Sequence, residues 1–392
     1  MESKRHILPI IVFAQFCGTS IWFASNGVIK DLIAVFQLDN DALGNLTSAV
    51  QFGFISGTLI FALLSIADRF SPSRVFFICA ILGALSNLCI AFDFNNYTSL
   101  IGLRFLTGIT LAGIYPVGMK LAADHFEKGL GTSLGFLVGA LVLGKSFPYL
   151  LSIFKAELDW QSVIYTVSGF AAFGGLIVLL LVPDGPYRKA AQSIRLNNVF
   201  QVFKPIAFRK AAFGYFGHMW ELYTFWVFMP VLLGHFSDTY NLDWNVYLYS
   251  FYIIAVGAIG CILAGYISRK IGSSKVAFSA LSLSGLSCLL VPLIFLSGNP
   301  ALFFVFMMIW GLAVVADSPM FSTMVAQSAI PTLKGTALTI VNCIGFAITI
   351  ISIQLLTHLK NEISLTYLFM LLAAGPAFGI LYKLSIKKQP LL

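Results

Sequence analysis

Twelve long apolar segments follow one another along the chain, and this pattern restricts the fold more than any short motif does. A hydrocarbon core about 30 Å thick needs roughly 20 mostly apolar residues, because an α-helix rises about 1.5 Å per residue. The predicted spans lie near Ile7–Val28, Leu43–Ala67, Val75–Phe92, Ser99–Ala123, Thr132–Phe154, Trp160–Val182, Ala211–Gly234, Val246–Ser268, Val276–Leu296, Ala301–Ala326, Gly335–His358 and Ile363–Leu384. The sequence therefore predicts an all-α integral membrane protein with twelve transmembrane helices.

Composition agrees with this prediction. Hydrophobic residues make up 58% of the chain and charged residues 10%, and the mean hydropathy is +0.89. Soluble domains carry roughly 25% charged residues. The segments are too long and too continuously apolar for the strands of a membrane β-barrel. The first segment has no convincing small-residue cleavage site, so we interpret it as a permanent helix and not as a signal peptide.

The distribution of Lys and Arg between the spans predicts the orientation. Eighteen of these residues fall on the side that holds both termini, and the opposite loops contain three, Lys30, Lys155 and Lys360. Because basic residues are retained on the cytoplasmic side, we expect both termini in the cytoplasm. The formal net charge of +8 then faces anionic lipid, and we expect no nucleic-acid partner.

A basic stretch divides the chain into two halves. Residues 183–210 form the longest polar interruption and contain six basic residues against the single acid Asp184. We therefore predict an N-terminal six-helix bundle over residues 1–182, a cytoplasmic linker over 183–210, and a C-terminal six-helix bundle over 211–392.

The two halves contain an internal repeat. The loop after the second helix reads LSIADRFSPSR, and the loop after the eighth reads GYISRKIGSSK. In the fourth and tenth helices, Gly108 and Pro116 match Gly311 and Pro319 at an offset of 203 residues. The motif GTSL in the fifth helix matches GTAL in the eleventh. Matches in the same order at nearly constant offset indicate two related bundles.

With this repeat and its loops, the chain resembles the major facilitator superfamily. Members of that family have two six-helix bundles and a short charged loop between helices two and three, repeated between eight and nine. The sequence RFLTG supplies another family feature, an arginine followed four residues later by glycine in helix four. The resemblance covers essentially the whole chain. It implies that Asp68, Arg69, Arg74 and Lys270 form a conformational latch.

Charged residues inside the predicted spans are candidates for function. A charge at the centre of a membrane helix costs about 2.5–3.5 kcal/mol or more, so it needs a partner or water. The ionisable residues other than histidine within the spans are Arg104, Lys120, Lys145, Glu221 and Asp317. We expect Lys120, close to the cytoplasmic end of its helix, to extend to the interface.

The resemblance also places helices one, four, seven and ten around a central cavity. Each of these helices carries polar or aromatic residues on one face, since positions one or two turns apart share a face. Together with Lys145 of helix five, the candidate substrate-binding residues are Gln15, Trp22, Asn26, Arg104, Tyr115 and Trp310. For the neutral residues, hydrogen bonds between helices without substrate contact are the alternative.

The candidate proton-coupling residues are Glu221, Asp317 and His218. The sequence GHMWELY puts Glu221 near the middle of helix seven with His218 one turn away. A carboxylate in that position can take up or release a proton when the cavity changes sides. The alternative is a structural salt bridge between one of these acids and Lys145 or Arg104 of the other half.

These observations predict a secondary active transporter. We expect it to move a small organic anion or zwitterion across the cell inner membrane by alternating access, coupled to protons, as a monomer and without a cofactor. The nucleotide-binding loop GxxxxGK[ST] and the enzyme motifs HExxH and GxSxG are absent from the sequence. Export of a metal ion or cationic compound is an alternative, as is a non-transporting receptor or scaffold.

Overall fold

The chain forms two compact units, Met1–Ser193 and Ile194–Leu392. The structure, a computed structural model, describes residues 6–126, 130–156, 159–188 and 199–387. Each unit contains six long helices within these residues. The predicted linker 183–210 lies partly outside them, because residues 189–198 are not described.

The helices of the first unit are α1 (Ile7–Gly27), α2 (Ala42–Leu63), α3 (Pro72–Ala91), α4 (Tyr97–His125), α5 (Thr132–Phe154) and α6 (Trp160–Leu181). Those of the second are α7 (Ile206–Thr239), α8 (Val246–Ile271), α9 (Ser273–Leu296), α10 (Pro300–Ser328), α11 (Lys334–Leu359) and α12 (Leu365–Ile386). The predicted twelve-helix membrane fold is confirmed, with most helix ends within a few residues of the predicted bounds.

Eleven of these described helices are long and apolar enough to cross a membrane. The remaining helix, α7, is 34 residues long. It is less apolar because it contains Arg209, Lys210, His218 and Glu221. The chain is a multi-pass membrane protein.

The repeat seen in the sequence extends to the way helices begin. The side chain of Asn96 accepts a hydrogen bond from the backbone N–H of Ser99 at the start of α4. At the start of α10, Asn299 accepts in the same way from the N–H of Leu302. The two asparagines are separated by 203 residues, the same offset as the matched glycines and prolines. Each cap satisfies a backbone donor that the first helical turn leaves open.

Helices α4 and α10 are both interrupted just before the matched prolines. The α-helical part of α4 ends at Leu111 and resumes at Tyr115, and that of α10 ends at Ala316 and resumes at Ser318. A proline has no N–H, so the carbonyl four residues before it loses its helical partner. In α10 this carbonyl belongs to Val315, and the thiol of Cys261 donates to it at 3.4 Å.

Glycines let the interrupted helices approach their neighbours closely. A Cβ atom at Gly108 of α4 would overlap the backbone carbonyl of Val50 in α2. In the second unit, a Cβ atom at Gly311 of α10 would overlap the carbonyl of Ile253 in α8. These contacts fix the positions from which α4 and α10 present their buried polar side chains.

Candidate functional site

Arg104 is completely buried and binds the backbone of α1. Its Nη1 donates to the carbonyl of Ile21 at 3.0 Å, and its Nη2 donates to the carbonyl of Trp22. Both carbonyls belong to the turn of 3₁₀ helix, Ser20–Phe23, that interrupts α1. Arg104 therefore satisfies carbonyl groups at a helix break, where α-helical hydrogen bonding lapses. Its predicted contact with substrate stays a prediction.

Asn87 on α3 also contacts the guanidinium group of Arg104. The amide oxygen of Asn87 lies 3.5 Å from Nη1 of Arg104, and the amide nitrogen of Asn87 donates to the hydroxyl of Ser168 at 3.0 Å. This network joins α4, α3 and α6 around the break in α1. The guanidinium group has five donors in a fixed plane, which suits it to several acceptors at once.

Lys145, a second buried cation among the described residues of the first unit, lies against an aromatic face. Its Nζ is 3.8 Å from the centroid of the Trp22 ring and 5.6 Å from that of Phe23. Lys145 and Trp22 are both 0% exposed. An ammonium group over an indole ring gains cation–π attraction, which is larger when both groups are removed from water.

The Trp22 ring is held in place from two other helices. Its Nε1 donates to the side-chain oxygen of Gln51 on α2 at 3.1 Å. The Phe54 ring packs against it with centroids 4.8 Å apart, and the Tyr115 ring lies edge-on at 6.4 Å. The structure thus brings together the predicted residues Trp22, Lys145 and Tyr115. Arg104 contacts the same part of α1 through the backbone carbonyl of Trp22.

Two predicted residues of α1 lie apart from this cluster. Asn26 donates to the hydroxyl of Thr47 on α2 at 3.0 Å. Gln15 is buried against Gly118, and neither of its amide atoms has a hydrogen-bond partner among the described residues. Asn26 therefore makes a hydrogen bond between helices, which was the alternative to its predicted contact with substrate.

In the second unit, Glu221 accepts hydrogen bonds from three side chains. Oε1 accepts from Nε1 of Trp310 at 2.7 Å and from the thiol of Cys288 at 3.3 Å. Oε2 accepts from the hydroxyl of Ser284 at 2.9 Å. The carboxylate is 1% exposed. Trp310, predicted as a substrate-binding residue, is thus a hydrogen-bond donor to Glu221.

His218 and Asp317 form a second buried polar pair. Nδ1 of His218 lies 2.7 Å from Oδ1 of Asp317, and both side chains are almost completely buried. Asp317 occupies the interruption of α10, so the helix break brings its carboxylate to α7. Within the described part of the chain, Nε2 of His218 and Oδ2 of Asp317 have no hydrogen-bond partner. Buried polar atoms of this kind are rare, and a water, proton or ligand can complete them.

The residues of the predicted latch differ in their surroundings. The carboxylate of Asp68 pairs with Lys120 of α4 at 2.9 Å, and Lys120 also lies 3.4 Å from Asp124. The guanidinium of Arg188 donates to the backbone carbonyls of Asp68 at 2.8 Å and Phe70 at 2.7 Å. Asp68 is thus held within its own half. The latch function itself stays a prediction.

The remaining latch residues, Arg69, Arg74 and Lys270, have exposed side chains at helix ends. Lys120 was predicted to extend to the membrane interface. In the structure it also pairs with two carboxylates, those of Asp68 and Asp124.

The metal-export alternative lacks a ligand set in the described residues, which contain no group of three or more His, Cys, Asp or Glu side chains that could hold a metal ion. The pair His218–Asp317 has two such side chains, and Cys261 donates to a backbone carbonyl instead.

Sequence reasoning missed several neutral partners of the candidate residues Trp22, Arg104 and Glu221. These are Gln51, Asn87, Ser284 and Cys288. Ser284 and Cys288 are four residues apart on α9, so they share one helix face. That spacing was the available signal, but it does not indicate which helix the face meets.

Comparison with known proteins identifies the fold and the family. A family model described as Major Facilitator Superfamily matches residues 11–353. The crystal structure of the human organic anion transporter MFSD10 (TETRAN) superposes with a TM-score of 0.71 at 12% identity, covering 97% of this chain and 99% of that one. At that identity the likeness shows the fold alone.

Two named relatives match different lengths of the chain. The 4-hydroxybenzoate transporter PcaK of Pseudomonas aeruginosa is 25% identical over 258 residues, 62% of this chain. The match spans about half of that relative, 54% of its length. The bicyclomycin resistance protein homolog of Haemophilus influenzae is 22% identical over 357 residues, covering 87% of this chain and 85% of the relative.

Proposed function

Because the chain belongs to the major facilitator superfamily, we propose that it is a secondary active transporter that moves a small organic anion across the cell membrane by alternating access. This family consists of transporters, in agreement with the prediction that the chain is not an enzyme. The observation that carries the substrate class is the buried ammonium of Lys145 on the face of Trp22.

The geometry of the first unit favours a carboxylate on an aromatic or flat body. Lys145 supplies a cation removed from water, where its attraction to an anion is stronger than at the surface. Trp22, Tyr115 and Phe54 provide aromatic surface beside it. Arg104 already binds two backbone carbonyls, so Lys145 is the better candidate for direct contact with the anion. The relative named as a 4-hydroxybenzoate transporter carries a solute of this class.

We assign proton coupling to the pair His218–Asp317. A proton needs atoms that can gain or lose a bond, and Nε2 of His218 and Oδ2 of Asp317 have no partner among the described residues. Glu221, by contrast, already receives donors at both oxygens. Glu221 then serves to join α7 to α9 and α10. Both termini face the cytoplasm in this proposal, as the distribution of basic residues predicts.

Transport by the purified protein in proteoliposomes tests the proposal. Uptake of radiolabelled 4-hydroxybenzoate is measured with and without an imposed pH gradient of either direction. We expect saturable uptake that the gradient drives to accumulation, and competition by other aromatic carboxylates but not by 4-hydroxybenzamide, which lacks the charge.

A matched pair of variants tests the role of Lys145. Lys145→Gln removes the charge and should weaken carboxylate binding more than tenfold, since a hydrogen bond to a charged group contributes about 1.5–3 kcal/mol. Lys334→Gln removes an exposed lysine instead and should leave uptake unchanged. Equal affinities for the carboxylate and the amide, or a normal Lys145→Gln variant, would contradict the substrate assignment.

A further inference from the structure

The indole of Trp22 donates its hydrogen bond to a neutral side chain of α2. Nε1 of Trp22 lies 3.1 Å from Oε1 of Gln51, and both side chains are 0% exposed. An indole has a single N–H, and a buried donor without an acceptor is costly. Because the N–H lies in the plane of the ring, this bond restricts how the ring is turned. Gln51 therefore helps to determine the face that Trp22 presents to Lys145, whose Nζ is 3.8 Å from the ring centroid.

A second hydrogen bond joins the same two helices in the same register. Nδ2 of Asn26 donates to the hydroxyl of Thr47 at 3.0 Å, and that hydroxyl donates to the carbonyl of Leu43 at 2.8 Å. Trp22 and Asn26 are four residues apart on α1, and Thr47 and Gln51 are four apart on α2. The two antiparallel pairs therefore fix α2 against the part of α1 that carries the indole.

The second unit gives a buried indole a different acceptor. Nε1 of Trp310 donates to the carboxylate of Glu221 at 2.7 Å, whereas Trp22 donates to an amide. A charged acceptor forms the shorter and stronger bond. The amide of Gln51 is thus not the acceptor that would hold an indole most strongly. It does hold the ring without adding a negative charge beside Lys145.

A carboxylate in place of this amide would compete with an anionic solute. The predicted spans of the first half contain no Asp or Glu. An acid inside a membrane helix is costly unless a cation or water accompanies it. The cation on the same indole is Lys145, so an acid at position 51 would pair with it. The neutral side chain at this position avoids that competition.

We propose that Gln51 is a positioning residue that orients Trp22 for the solute and, because it is neutral, sets the preference of the site for anions. This inference rests on the proposed function, in which the carboxylate of an aromatic solute binds Lys145 beside Trp22. Gln51 acts through the indole and through the charge that it does not carry, without direct contact with the solute.

Binding to the purified full chain in detergent tests the proposal. Calorimetric titration gives the Kd of 4-hydroxybenzoate and that of 4-hydroxybenzamide, its neutral analogue, which is added at millimolar concentrations. The readout is the ratio of the two affinities, because a loss of folded protein changes the amount of binding and not this ratio. Gln51→Glu keeps an acceptor for the indole but adds a charge beside Lys145. It should lower the carboxylate-over-amide ratio more than tenfold.

Gln51→Met separates orientation from charge. Methionine has nearly the length of glutamine but offers the indole no strong acceptor. The variant should bind 4-hydroxybenzoate about threefold to tenfold more weakly, while the carboxylate-over-amide ratio stays within about threefold of the wild type. The matched control is Gln161→Glu, which adds the same charge at a half-buried position at the start of α6 and should leave both affinities unchanged.

The outcomes distinguish this inference from the proposed function. A Gln51→Glu variant with the wild-type ratio would overturn the inference alone, as would a Gln51→Met variant with the wild-type affinity. The Met variant decides the orienting role even if Gln51→Glu fails to fold. A wild-type protein without a preference for the carboxylate would instead refute the proposed function, and this inference with it.

Discussion

The imidazole of His218 on α7 and the carboxylate of Asp317 in the break of α10 are in direct contact, with 2.7 Å between Nδ1 and Oδ1. The contact depends on the interruption that precedes Pro319, because a continuous helix would direct residue 317 differently. A helix break at mid-membrane thus places a titratable pair where a regular helix would not.

Asp317→Asn and His218→Gln should each abolish accumulation driven by a pH gradient while leaving exchange of solute across the membrane at least partly intact. The neutral side chains keep hydrogen bonds but cannot carry a proton. Uptake and counterflow in proteoliposomes measure the two activities separately. Glu362→Gln, at an exposed acid, is the control. Accumulation at the wild-type level in Asp317→Asn would remove this pair from coupling.

Glu221→Gln should retain gradient-driven accumulation, whereas Glu221→Leu should lower stability. Glutamine can still accept from Trp310, but leucine leaves the indole N–H without its acceptor. The Ser284 hydroxyl would keep only the backbone carbonyl of Leu281, at 3.2 Å. An unsatisfied buried donor costs about 1–3 kcal/mol. Melting temperatures in detergent and uptake measurements check both statements. If Glu221→Gln exchanges solute but cannot accumulate it, then Glu221 carries the proton and the assignment to Asp317 is wrong.

Arg104→Lys should destabilise the protein even though it preserves the charge. A single ammonium cannot reproduce the two bonds to the carbonyls of Ile21 and Trp22, and the loss of one leaves a buried acceptor unsatisfied, at about 1–3 kcal/mol. The melting temperature of the variant measures this. A stable variant with weakened substrate affinity would instead return Arg104 to the binding site.

Lys145 and Trp22 should be energetically coupled. A double-mutant cycle with Lys145→Met and Trp22→Leu should give a coupling of about 0.5–2 kcal/mol, the range of cation–π pairs. The same cycle with Asp317→Asn or Glu221→Gln tests the predicted pairing of Lys145 with an acid of the other half. Additive effects in the Trp22 cycle would show that the contact contributes nothing to stability.

Gly108→Ala and Gly311→Ala should each destabilise their unit, because the added methyl group would overlap a carbonyl of the neighbouring helix. Overpacking of this kind costs about 1–3 kcal/mol. Gly102, also on α4, has open space within 4 Å of the position that a methyl group would take. Gly102→Ala is therefore the matched control and should be neutral or stabilising. Equal melting temperatures for Gly102→Ala and Gly108→Ala would contradict the close packing of α2 and α4.

The spans and the repeat could be predicted because both depend on local sequence. Membrane thickness sets the length of an apolar segment, and matched Gly and Pro residues mark equivalent points of two bundles. The partners of Arg104 could not be predicted in this way. They are carbonyls freed by a 3₁₀ turn at Ser20–Phe23, and this stretch contains no Gly or Pro to indicate a break.

The hydrogen-bond partners of Glu221 could not be predicted from the sequence either. The spacing of His218 and Glu221 makes them neighbours on one helix, yet the partner of His218 is Asp317 on α10. The donors to Glu221 come from α9 and α10, and the choice among possible helix faces depends on how helices rotate against one another. Local patterns do not determine that rotation.

The repeated interruption of α4 and α10 also contains a difference between the two halves. At the offset that relates the caps, the glycines and the prolines, the counterpart of Asp317 is Ile114, which is completely buried. One copy of the repeat thus has a hydrocarbon side chain at its interruption, and the other has an acid there. The repeated backbone gives both halves the same interruption, while a carboxylate lies at that interruption in only one of them.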